Sequence, residues 1–286
     1  MNDINNLIGN TPFIKLGEKL YAKLETYNPS GSIKDRMASY ILSKALERGD
    51  LQGKDTIVVA SSGNTGIAFS MLSAAHSLDC VVIMPCNMSE ERKQMMRAYG
   101  ATIVEVGPSA FKDAISLRDK MLEENSNYWS PKQFSNPDNI ECHRRTTAVE
   151  IAQSVLEIPA RLSALVSGAG TGGTIMGCQS YFPRLWKETK MLLTTPAEDA
   201  ATHGIQGIND GADFLVDKNL IDEELLVSTE DAKQRASQLA KENGLLVGIS
   251  SGANVLAAER WIEKNNPTGV VVTFLCDRGE RYLSCM

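Results

Sequence analysis

The sequence predicts an α/β fold with two domains, each built on a mostly parallel, twisted sheet that is flanked by helices. Short runs of Val, Ile and Leu alternate with amphipathic stretches along nearly the whole chain. Such uninterrupted apolar strands are typical of parallel sheets that are covered on both faces. The length of 286 residues suits two domains of ordinary size. Glycines such as Gly49, Gly100 and Gly244 mark the ends of helices.

Eight apolar runs are predicted to be strands, at residues 20–25, 56–60, 80–85, 102–106, 162–167, 191–195, 245–248 and 270–276. Eight amphipathic stretches are predicted to be helices, near residues 34–49, 65–77, 89–99, 110–124, 141–156, 173–187, 230–243 and 251–265. Because the strands fall into two groups, we expect an N-terminal domain over residues 1–145 and a C-terminal domain over residues 146–286. The sequence does not decide whether the first strands, about residues 10–35, pack on the N-terminal or on the C-terminal domain.

Composition and charge exclude several classes of protein. The net charge is −6, the isoelectric point is near 5.3 and no basic run stands out, so no nucleic-acid partner is expected. No apolar run approaches the roughly 20 residues that cross a bilayer, so no membrane association is expected. The first ten residues carry no basic cluster, which predicts a cytoplasmic protein without a signal peptide. The six cysteines and three histidines show no metal-binding or disulfide spacing, and no metal site is predicted.

One lysine stands at the junction of a turn and a helix, in Asn-Pro-Ser-Gly-Ser-Ile-Lys-Asp-Arg at residues 28–36. Pro29 and Gly31 favour the turn, and Ser30 or Ser32 can cap the helix that begins near Lys34. The positive end of a helix disfavours the charged form of a lysine, which keeps its amine nucleophilic. Lys34 is therefore a candidate to form a Schiff base with an aldehyde cofactor, although an ordinary solvated lysine is the simpler alternative.

A polar loop, Ser-Ser-Gly-Asn-Thr-Gly at residues 61–66, follows the predicted strand at 56–60 and opens a helix. Its backbone N–H groups and hydroxyls can bind a carboxylate or a phosphate. Charge-assisted hydrogen bonds contribute roughly 1.5–3 kcal/mol each, so three or four of them could orient a small amino acid. The alternative is a routine helix cap.

A glycine-rich loop, Gly-Ala-Gly-Thr-Gly-Gly-Thr at residues 168–174, follows the predicted strand at 162–167. Its amides and threonine hydroxyls suit a phosphate monoester. The loop also fits the pattern GxGxxG, so a dinucleotide site is a rival interpretation. That interpretation expects an acid about 20 residues later at the end of the next strand, whereas the strand at 191–195 ends in threonines. It also leaves Lys34 without a role.

A covalent anchor and a phosphate loop together indicate a pyridoxal-phosphate enzyme. Two further loops, residues 247–253 and 275–284, follow the last predicted strands, and either could meet the pyridine nitrogen of the cofactor. A serine would leave that nitrogen largely unprotonated, which favours loss of a β-substituent over transamination. A hydroxyl at a helix start is, however, usually only a cap.

These segments together resemble cysteine synthase, the O-acetylserine sulfhydrylase family of pyridoxal-phosphate enzymes of fold type II, which are similar to the tryptophan synthase β subunit. The resemblance spans nearly the whole chain, through residues 8–12, 28–36, 62–66, 84–100, 133–137, 170–174, 248–252 and 279–284. Residues 87–93, 97–100 and 276–282 look closer to the B isozyme than to the A isozyme. Thr65 stands where dehydratases of this fold usually carry histidine, which disfavours a dehydratase.

The resemblance implies a role for each candidate residue. Lys34 would hold pyridoxal 5'-phosphate as an aldimine and then remove the Cα proton of the substrate. Asn64 would bind the 3'-oxygen of the cofactor, and Ser250, with Cys276 close by, would meet the ring nitrogen. The phosphate would be bound by Gly170, Thr171, Gly172, Gly173 and Thr174. The substrate carboxylate would be held by Ser61, Ser62, Thr65 and Gln133.

The implied reaction is a β-replacement that forms L-cysteine from O-acetyl-L-serine and sulfide through an aminoacrylate intermediate. Alternatives are a related enzyme that uses phosphoserine or serine, as cystathionine β-synthases do, and a catalytically inactive relative. A homodimer is expected, and serine acetyltransferase is a candidate partner. The chain departs from the family in a shortened stretch over residues 190–211, where the arginine linked to thiosulfate use has no clear counterpart around residues 203–208. Sulfide is therefore the expected donor.

Overall fold

The computed structural model describes residues 4–199, 204–205, 207–208 and 215–284. The strands in this part of the chain are β1 (Phe13–Lys15), β2 (Leu20–Leu24), β3 (Thr56–Ala60), β4 (Asp79–Pro85), β5 (Thr102–Val106), β6 (Tyr128–Trp129), β7 (Leu162–Gly168), β8 (Lys190–Pro196), β9 (Glu223–Val227) and β10 (Val270–Leu275). The helices are α1 (Lys34–Arg48), α2 (Asn64–His76), α3 (Glu90–Ala98), α4 (Phe111–Glu124), α5 (Asp138–Arg145), α6 (Thr147–Leu156), α7 (Gly173–Gln179), α8 (Thr229–Asn243) and α9 (Ile249–Asn265).

Two sheets organise the molecule. The larger has the order β1-β2-β10-β7-β8-β9, and only the β1–β2 pair in it is antiparallel. The smaller has the order β5-β4-β3-β6 and is parallel throughout. Two mostly parallel sheets with helices packed on them confirm the predicted α/β fold class. The first strands belong to the larger sheet, because β2 pairs with β10 at the register of Leu20 with Val271.

Apolar strands form the core because both of their faces are covered. All five residues of β3 are buried. Helix α2 buries nine consecutive residues, 65–73, and packs against α1, α3, β3 and β4. A helix that is apolar nearly all round belongs inside such a layered core. Each fully buried Val, Leu or Ile side chain contributes about 1.5–3 kcal/mol, so these layers fix the loops at the carboxyl ends of the strands.

The predicted strand at residues 245–248 is wrong. Val247 forms only an isolated bridge with Arg278. The backbone N–H of Gly248 donates to the Asp277 carbonyl, and that of Gly279 donates to the Leu246 carbonyl. The segment therefore pairs with the last loop of the chain instead of entering a sheet. Val247 is buried just before α9, whereas Leu246 is 41% exposed, so this short apolar run looks like a strand in the sequence but is not buried like one.

The prediction also missed short elements and merged others. Strands β1, β6 and β9 were not predicted, because β1 and β6 are only three and two residues long and β9 carries two glutamates. The helix predicted at 141–156 is two helices, α5 and α6, separated at Thr146, whose ψ of −74° departs from the helical value. The helix predicted at 173–187 ends at Gln179 and is followed by a 3₁₀ turn over Phe182–Arg184.

No helix in the described ranges is long and apolar enough to span a bilayer. The same ranges contain no cluster of three or more His, Cys, Asp or Glu side chains placed to hold a metal ion. Part of the shortened stretch noted in the sequence, including His203 and Gln206, lies outside the described residues. The boundary between the two domains near residue 145 stays a prediction.

Candidate active site

Two adjoining cavities lie where the loops after β2, β3, β7 and β10 meet. The inner cavity is lined by Lys34, Asn64, Ser250, Cys276 and the glycine-rich loop. The outer cavity is lined by Lys34, Asn64, Arg92 and the residues predicted to bind a carboxylate, namely Ser61, Ser62, Thr65 and Gln133. Ligands of parallel α/β folds bind at the carboxyl ends of strands, and both cavities are in that position.

Lys34 is the first residue of α1 and lines both cavities. Among the described residues, no hydrogen-bond acceptor or carboxylate pairs with its Nζ. A Cβ placed on Gly170 would lie 3.9 Å from this Nζ, so the amine is beside the glycine-rich loop. The structure thus brings together the predicted covalent anchor and the predicted phosphate loop. A partly buried amine that has no ion-pair partner is available for chemistry.

The turn before Lys34 is held by buried hydrogen bonds. The Asp35 carboxylate accepts from the Ser30 backbone N–H, at 2.6 Å, and from the Ser30 hydroxyl. Ser32 Oγ accepts from the Lys34 backbone N–H at 3.3 Å. Ser32 therefore binds the start of the helix, while Ser30 binds Asp35. Burial raises the pKa of Asp35 to about 6, against the lowering effect of the Ser30 hydrogen bonds.

The loop at residues 61–66 is ordered mainly by Ser61. Its Oγ accepts from the backbone N–H groups of Gly63 and Gly66, both at 3.0 Å. These bonds use both acceptor lone pairs of the hydroxyl and leave its proton to be donated. Ser61 is 2% exposed and still lines the outer cavity. It acts as a structural cap for α2, and it can donate one hydrogen bond to a ligand.

Thr65 and Gln133 form a buried pair on the wall of the outer cavity. The Thr65 hydroxyl donates to Gln133 Oε1 at 2.7 Å, and Gln133 Nε2 donates to the Ala60 carbonyl at 3.2 Å. Residues 65 and 133 are distant in the sequence, and the structure brings them together as predicted from the resemblance. Both residues line the outer cavity together with Ser62, whose carbonyl accepts from Arg92 at 3.0 Å.

Asn64 is fixed at both ends of its carboxamide. Its Nδ2 donates to Asp277 Oδ2 at 2.6 Å, and its Oδ1 accepts from Arg281. Arg281 also donates to the Ser30 carbonyl at 2.6 Å, which connects Asn64 to the turn before Lys34. The orientation of the amide is therefore determined, and one Nδ2 proton remains for a ligand in the inner cavity.

The glycine-rich loop turns sharply between β7 and α7. Gly172 has a φ of +88°, and a Cβ there would lie 2.6 Å from a Val216 methyl carbon, so glycine is needed. Of the residues predicted to bind phosphate, four line the inner cavity, namely Gly170, Thr171, Gly172 and Thr174. Gly173 does not line it. Its backbone N–H donates to Thr171 Oγ1 at 3.3 Å, behind the cavity wall.

His143 supports this loop and was not identified from the sequence. Its Nε2 lies 3.2 Å from Thr174 Oγ1, and its Nδ1 lies 2.8 Å from Thr147 Oγ1. Burial, with the charges of Arg36 and Lys34, holds the pKa of His143 well below its ordinary value. A neutral imidazole can exchange hydrogen bonds with both threonines. No sequence motif marks this histidine, because its partners are on other segments.

Ser250 and Cys276 meet at the far side of the inner cavity. Ser250 is in the first turn of α9, and Cys276 directly follows β10. Burial, together with the charge of Asp277, raises the pKa of Cys276 to about 12, so its thiol is protonated at neutral pH. The Arg278 side chain lines neither cavity and donates to the Thr26 carbonyl at 2.9 Å. This end of the cavity therefore presents neutral groups.

Comparisons with known proteins agree with this geometry. A family model described as pyridoxal-phosphate dependent enzyme matches residues 4–277. A probable cysteine synthase of Bacillus subtilis is 36% identical over 295 residues, which cover 98% of this chain and 95% of that protein. Cysteine synthase B of Campylobacter jejuni is 40% identical over 296 residues, 98% of this chain and 96% of that protein.

The chain belongs to the cysteine synthase family of pyridoxal-phosphate-dependent enzymes. It is therefore a β-replacement enzyme of fold type II. A solved structure, the O-acetylserine dependent cystathionine β-synthase from Helicobacter pylori, superimposes with a TM-score of 0.91 at 33% identity. That alignment covers 100% of this chain and 98% of the other. This membership favours a phosphate monoester over a dinucleotide as the ligand of the glycine-rich loop.

The residues of this cysteine synthase family member fit the cofactor. The unpaired amine of Lys34 lies beside a glycine-rich loop that offers backbone N–H groups and two threonine hydroxyls. Asn64 keeps one amide proton for the same cavity. One cavity thus contains an amine that can anchor the cofactor covalently, a loop that can bind its phosphate and a serine that can meet its ring nitrogen, which are the kinds of groups that bind pyridoxal phosphate.

Proposed function

We propose that this enzyme forms L-cysteine from O-acetyl-L-serine and sulfide. The observation that supports this most strongly is the position of Lys34 at the junction of two cavities, one suited to a phosphate and one to an amino-acid carboxylate. When bound, pyridoxal phosphate supplies an electron-withdrawing ring that makes the substrate Cα proton acidic and allows a substituent to leave from Cβ. The protein residues bind the cofactor and the substrate, orient them and move the proton.

Lys34 has two proposed tasks. Its Nζ holds the cofactor until substrate arrives, and the freed amine then takes the proton from Cα. The amine is at the start of α1 and beside the glycine-rich loop, and Lys34 lines both cavities, so it would face both cofactor and substrate. Proton transfer by a positioned base contributes roughly 10²–10⁴-fold to a rate.

The outer cavity is proposed to hold the substrate carboxylate. Ser61 has a hydroxyl proton to donate, and Ser62, Thr65 and Gln133 line the same wall. The guanidinium of Arg92, on the same cavity, favours an anion by its charge. We propose that these groups place the Cα–H bond of the substrate next to Lys34 Nζ.

The inner cavity is proposed to hold the cofactor through Thr171 and Thr174 at the phosphate, with the N–H groups of residues 170–172, while Gly173 supports the loop from behind. Asn64 is proposed to donate to the 3'-oxygen and Ser250 to meet the ring nitrogen, with Cys276 beside it. Because Ser250 and the protonated Cys276 thiol are neutral, the ring nitrogen would stay largely unprotonated. That state favours loss of a β-substituent, in agreement with β-replacement.

O-acetylserine and sulfide are the proposed substrates because the curated relatives above are called cysteine synthases. The identity of 40% with a cysteine synthase B supports the proposed similarity to the B isozyme. A homodimer, a complex with serine acetyltransferase and a cytoplasmic location are proposed from the family resemblance and the sequence alone.

A second candidate is a related β-replacement that attaches homocysteine, or that starts from serine or phosphoserine. It is favoured by the full-length similarity to an enzyme described as an O-acetylserine dependent cystathionine β-synthase. An inactive relative is the third candidate, and the intact Lys34 speaks against it.

A steady-state comparison separates these candidates. The holoenzyme is given O-acetylserine, phosphoserine or serine, each with sulfide or with homocysteine, and the amino-acid products are quantified. We expect the highest kcat/KM for O-acetylserine with sulfide. A higher value for homocysteine, or for another leaving group, would contradict the proposed substrates. No product from any pair would favour an inactive relative. Covalent trapping of the cofactor on Lys34 by borohydride, read by mass spectrometry, tests the anchor separately.

A further inference from the structure

Asn139 lines neither cavity, but it is bonded to residues in the walls of both. It is 1% exposed and stands at the second position of α5. Its Nδ2 donates to Thr171 Oγ1 at 2.9 Å and to the Gln133 carbonyl at 3.0 Å. These two bonds use both protons of the amide. One side chain therefore holds the glycine-rich loop and the wall of the outer cavity at the same time.

The bond to Thr171 decides what the threonine can offer a ligand. Thr171 Oγ1 accepts from Asn139 Nδ2 and from the Gly173 backbone N–H. A hydroxyl has two acceptor lone pairs and one proton, so both lone pairs are occupied and the proton is left to be donated. Thr171 lines the inner cavity, where a phosphate would accept that proton.

The bond to Gln133 reaches the outer cavity. Asn139 holds the backbone of Gln133, whose side chain in turn accepts from the Thr65 hydroxyl and donates to the Ala60 carbonyl. A displacement of the Gln133 backbone would therefore move the partner of Thr65. The chain of contacts from Asn139 to Thr65 ends in the loop at residues 61–66.

Close packing keeps Asn139 in place. A Cβ on Gly173 would lie 2.0 Å from Asn139 Oδ1, so the amide rests directly on the glycine backbone. Residue 173 must therefore be glycine for Asn139 to reach both loops. This explains why Gly173 belongs to the loop although it does not line the inner cavity.

We propose that Asn139 is a positioning residue that joins the phosphate loop of the cofactor to the pocket for the substrate carboxylate. The inference rests on the proposed function of the two cavities. Without the amide, the Gln133 wall loses its support, and amino acids that carry a carboxylate bind more weakly. Ligands that lack the carboxylate are affected far less. Thr171 loses its orientation in the same variants, so the cofactor dissociates faster.

The test uses the holoenzyme and two probes, L-serine and 2-aminoethanol, which is the same amine without the carboxylate. Binding of each is followed through the visible absorbance of the cofactor in wild type, Asn139→Ala and Asn139→Asp. Asp keeps the volume of the side chain but cannot donate to the Gln133 carbonyl. We expect both variants to bind L-serine about tenfold more weakly, the equivalent of about 1.4 kcal/mol, and 2-aminoethanol nearly as wild type does. Loss of cofactor on dialysis should be faster in both.

Asn136→Ala is the matched control. Asn136 is in the same segment, but its amide donates to the Pro131 carbonyl and its Oδ1 accepts from the Asp138 N–H, so these side-chain hydrogen bonds reach neither Thr171 nor Gln133. It should leave the ratio of the two affinities unchanged. Three results would overturn the inference. The first is equal weakening of the binding of both probes, and the second is weaker binding of L-serine in Asn139→Ala but not in Asn139→Asp. The third is an Asn136→Ala variant that behaves like the Asn139 variants. A wild-type holoenzyme that shows no absorbance change with L-serine would instead contradict the proposed function.

Discussion

At the scale of single residues, Lys34 is the group on which the proposed chemistry depends. We expect Lys34→Ala to abolish turnover and to leave the fold intact, because the side chain has no hydrogen-bond partner among the described residues. Lys44→Ala is the matched control, since Lys44 is on the same helix and pairs with Glu47 at the surface. Product formation and circular dichroism of both variants are the measurements. Turnover at the wild-type rate in Lys34→Ala would remove this lysine from the mechanism.

Ser250 is tested by a change of charge. Ser250→Asp would place a carboxylate where the ring nitrogen is proposed to lie, and the nitrogen would then stay protonated. We expect release of acetate from O-acetylserine to slow at least about tenfold, equivalent to about 1.4 kcal/mol in the barrier. Ser250→Ala is the control, because it removes the hydroxyl without adding a charge, and it should slow the reaction less. An unchanged rate in Ser250→Asp would mean that another group meets the nitrogen.

Asp35 makes stability depend on pH. Its pKa is raised from 3.8 to about 6 in the fold, chiefly by burial. A raised pKa means that the folded state prefers the protonated acid, so this contribution is complete below pH 3.8 and is lost as the pH rises through 6. A shift of this size corresponds to about 3 kcal/mol.

We therefore expect the free energy of unfolding of wild type, relative to Asp35→Asn, to fall between pH 4 and pH 6. Urea denaturation at several pH values, with the same cofactor content in both proteins, measures this difference. A difference that stays constant over this range would contradict a raised pKa of Asp35 in the folded protein.

At the scale of elements, a buried ionic network ties α1 to α6 and to the first strands. Arg36 pairs with Glu25 at 2.7 Å and with Glu150 at 2.6 Å, and Lys23 pairs with Glu150 at 2.7 Å. Both cations are 2% exposed. Burial raises the pKa of Glu150, but the hydrogen bonds and charges of Arg36 and Lys23 outweigh this effect and lower the pKa to about 2. Removing the Glu150 charge takes away the carboxylate that pairs with Lys23 and leaves Arg36 with Glu25 alone, so positive charge is buried with too little compensation.

Glu150→Gln is expected to lower the free energy of unfolding by about 3 kcal/mol at pH 7. Glu47→Gln breaks an exposed pair with Lys44 and should change the free energy of unfolding by only about 0–1 kcal/mol. Because the folded pKa of Glu150 is depressed, its contribution is present above about pH 4.5 and is lost as the pH falls toward 2. The difference between wild type and Glu150→Gln should therefore shrink in acid. Equal effects of the two substitutions at pH 7 would show that the network is not stabilising.

The elements also show where local patterns mislead. Residues 245–248 have the composition of a strand, but their backbone groups bond to the last loop and they pair with neither sheet. Strand β9 was missed because it is the edge of its sheet and alternates polar and apolar residues weakly. The long central strands were predicted correctly, since burial on both faces requires the continuous Val, Ile and Leu runs that the sequence displays.

At the scale of the whole molecule, the inner cavity is built from loops of both sheets, so the cofactor should stabilise the entire fold. Lys34 and Asn64 come from the first half of the chain, and the glycine-rich loop and Ser250 come from the second. A ligand at 100 times its Kd stabilises the native state by about 2.7 kcal/mol. We expect pyridoxal phosphate to raise the Tm of the cofactor-free protein, and pyridoxal without the phosphate to raise it much less. Equal shifts with both compounds would speak against the glycine-rich loop as the phosphate site.

The sequence by itself predicted the two anchors proposed for the site, Lys34 after its turn and the loop at residues 168–174, and it determined the alternation that builds parallel sheets. These are local patterns, in which neighbouring residues set a turn, a helix start or a strand. The tertiary structure alone decided that Arg281 fixes Asn64, that His143 supports Thr174 and that Asn139 joins Thr171 to Gln133. Arg281 and Asn64 are 217 residues apart. Hydrogen bonds over such separations depend on how the sheets and helices pack, and no local pattern encodes that packing.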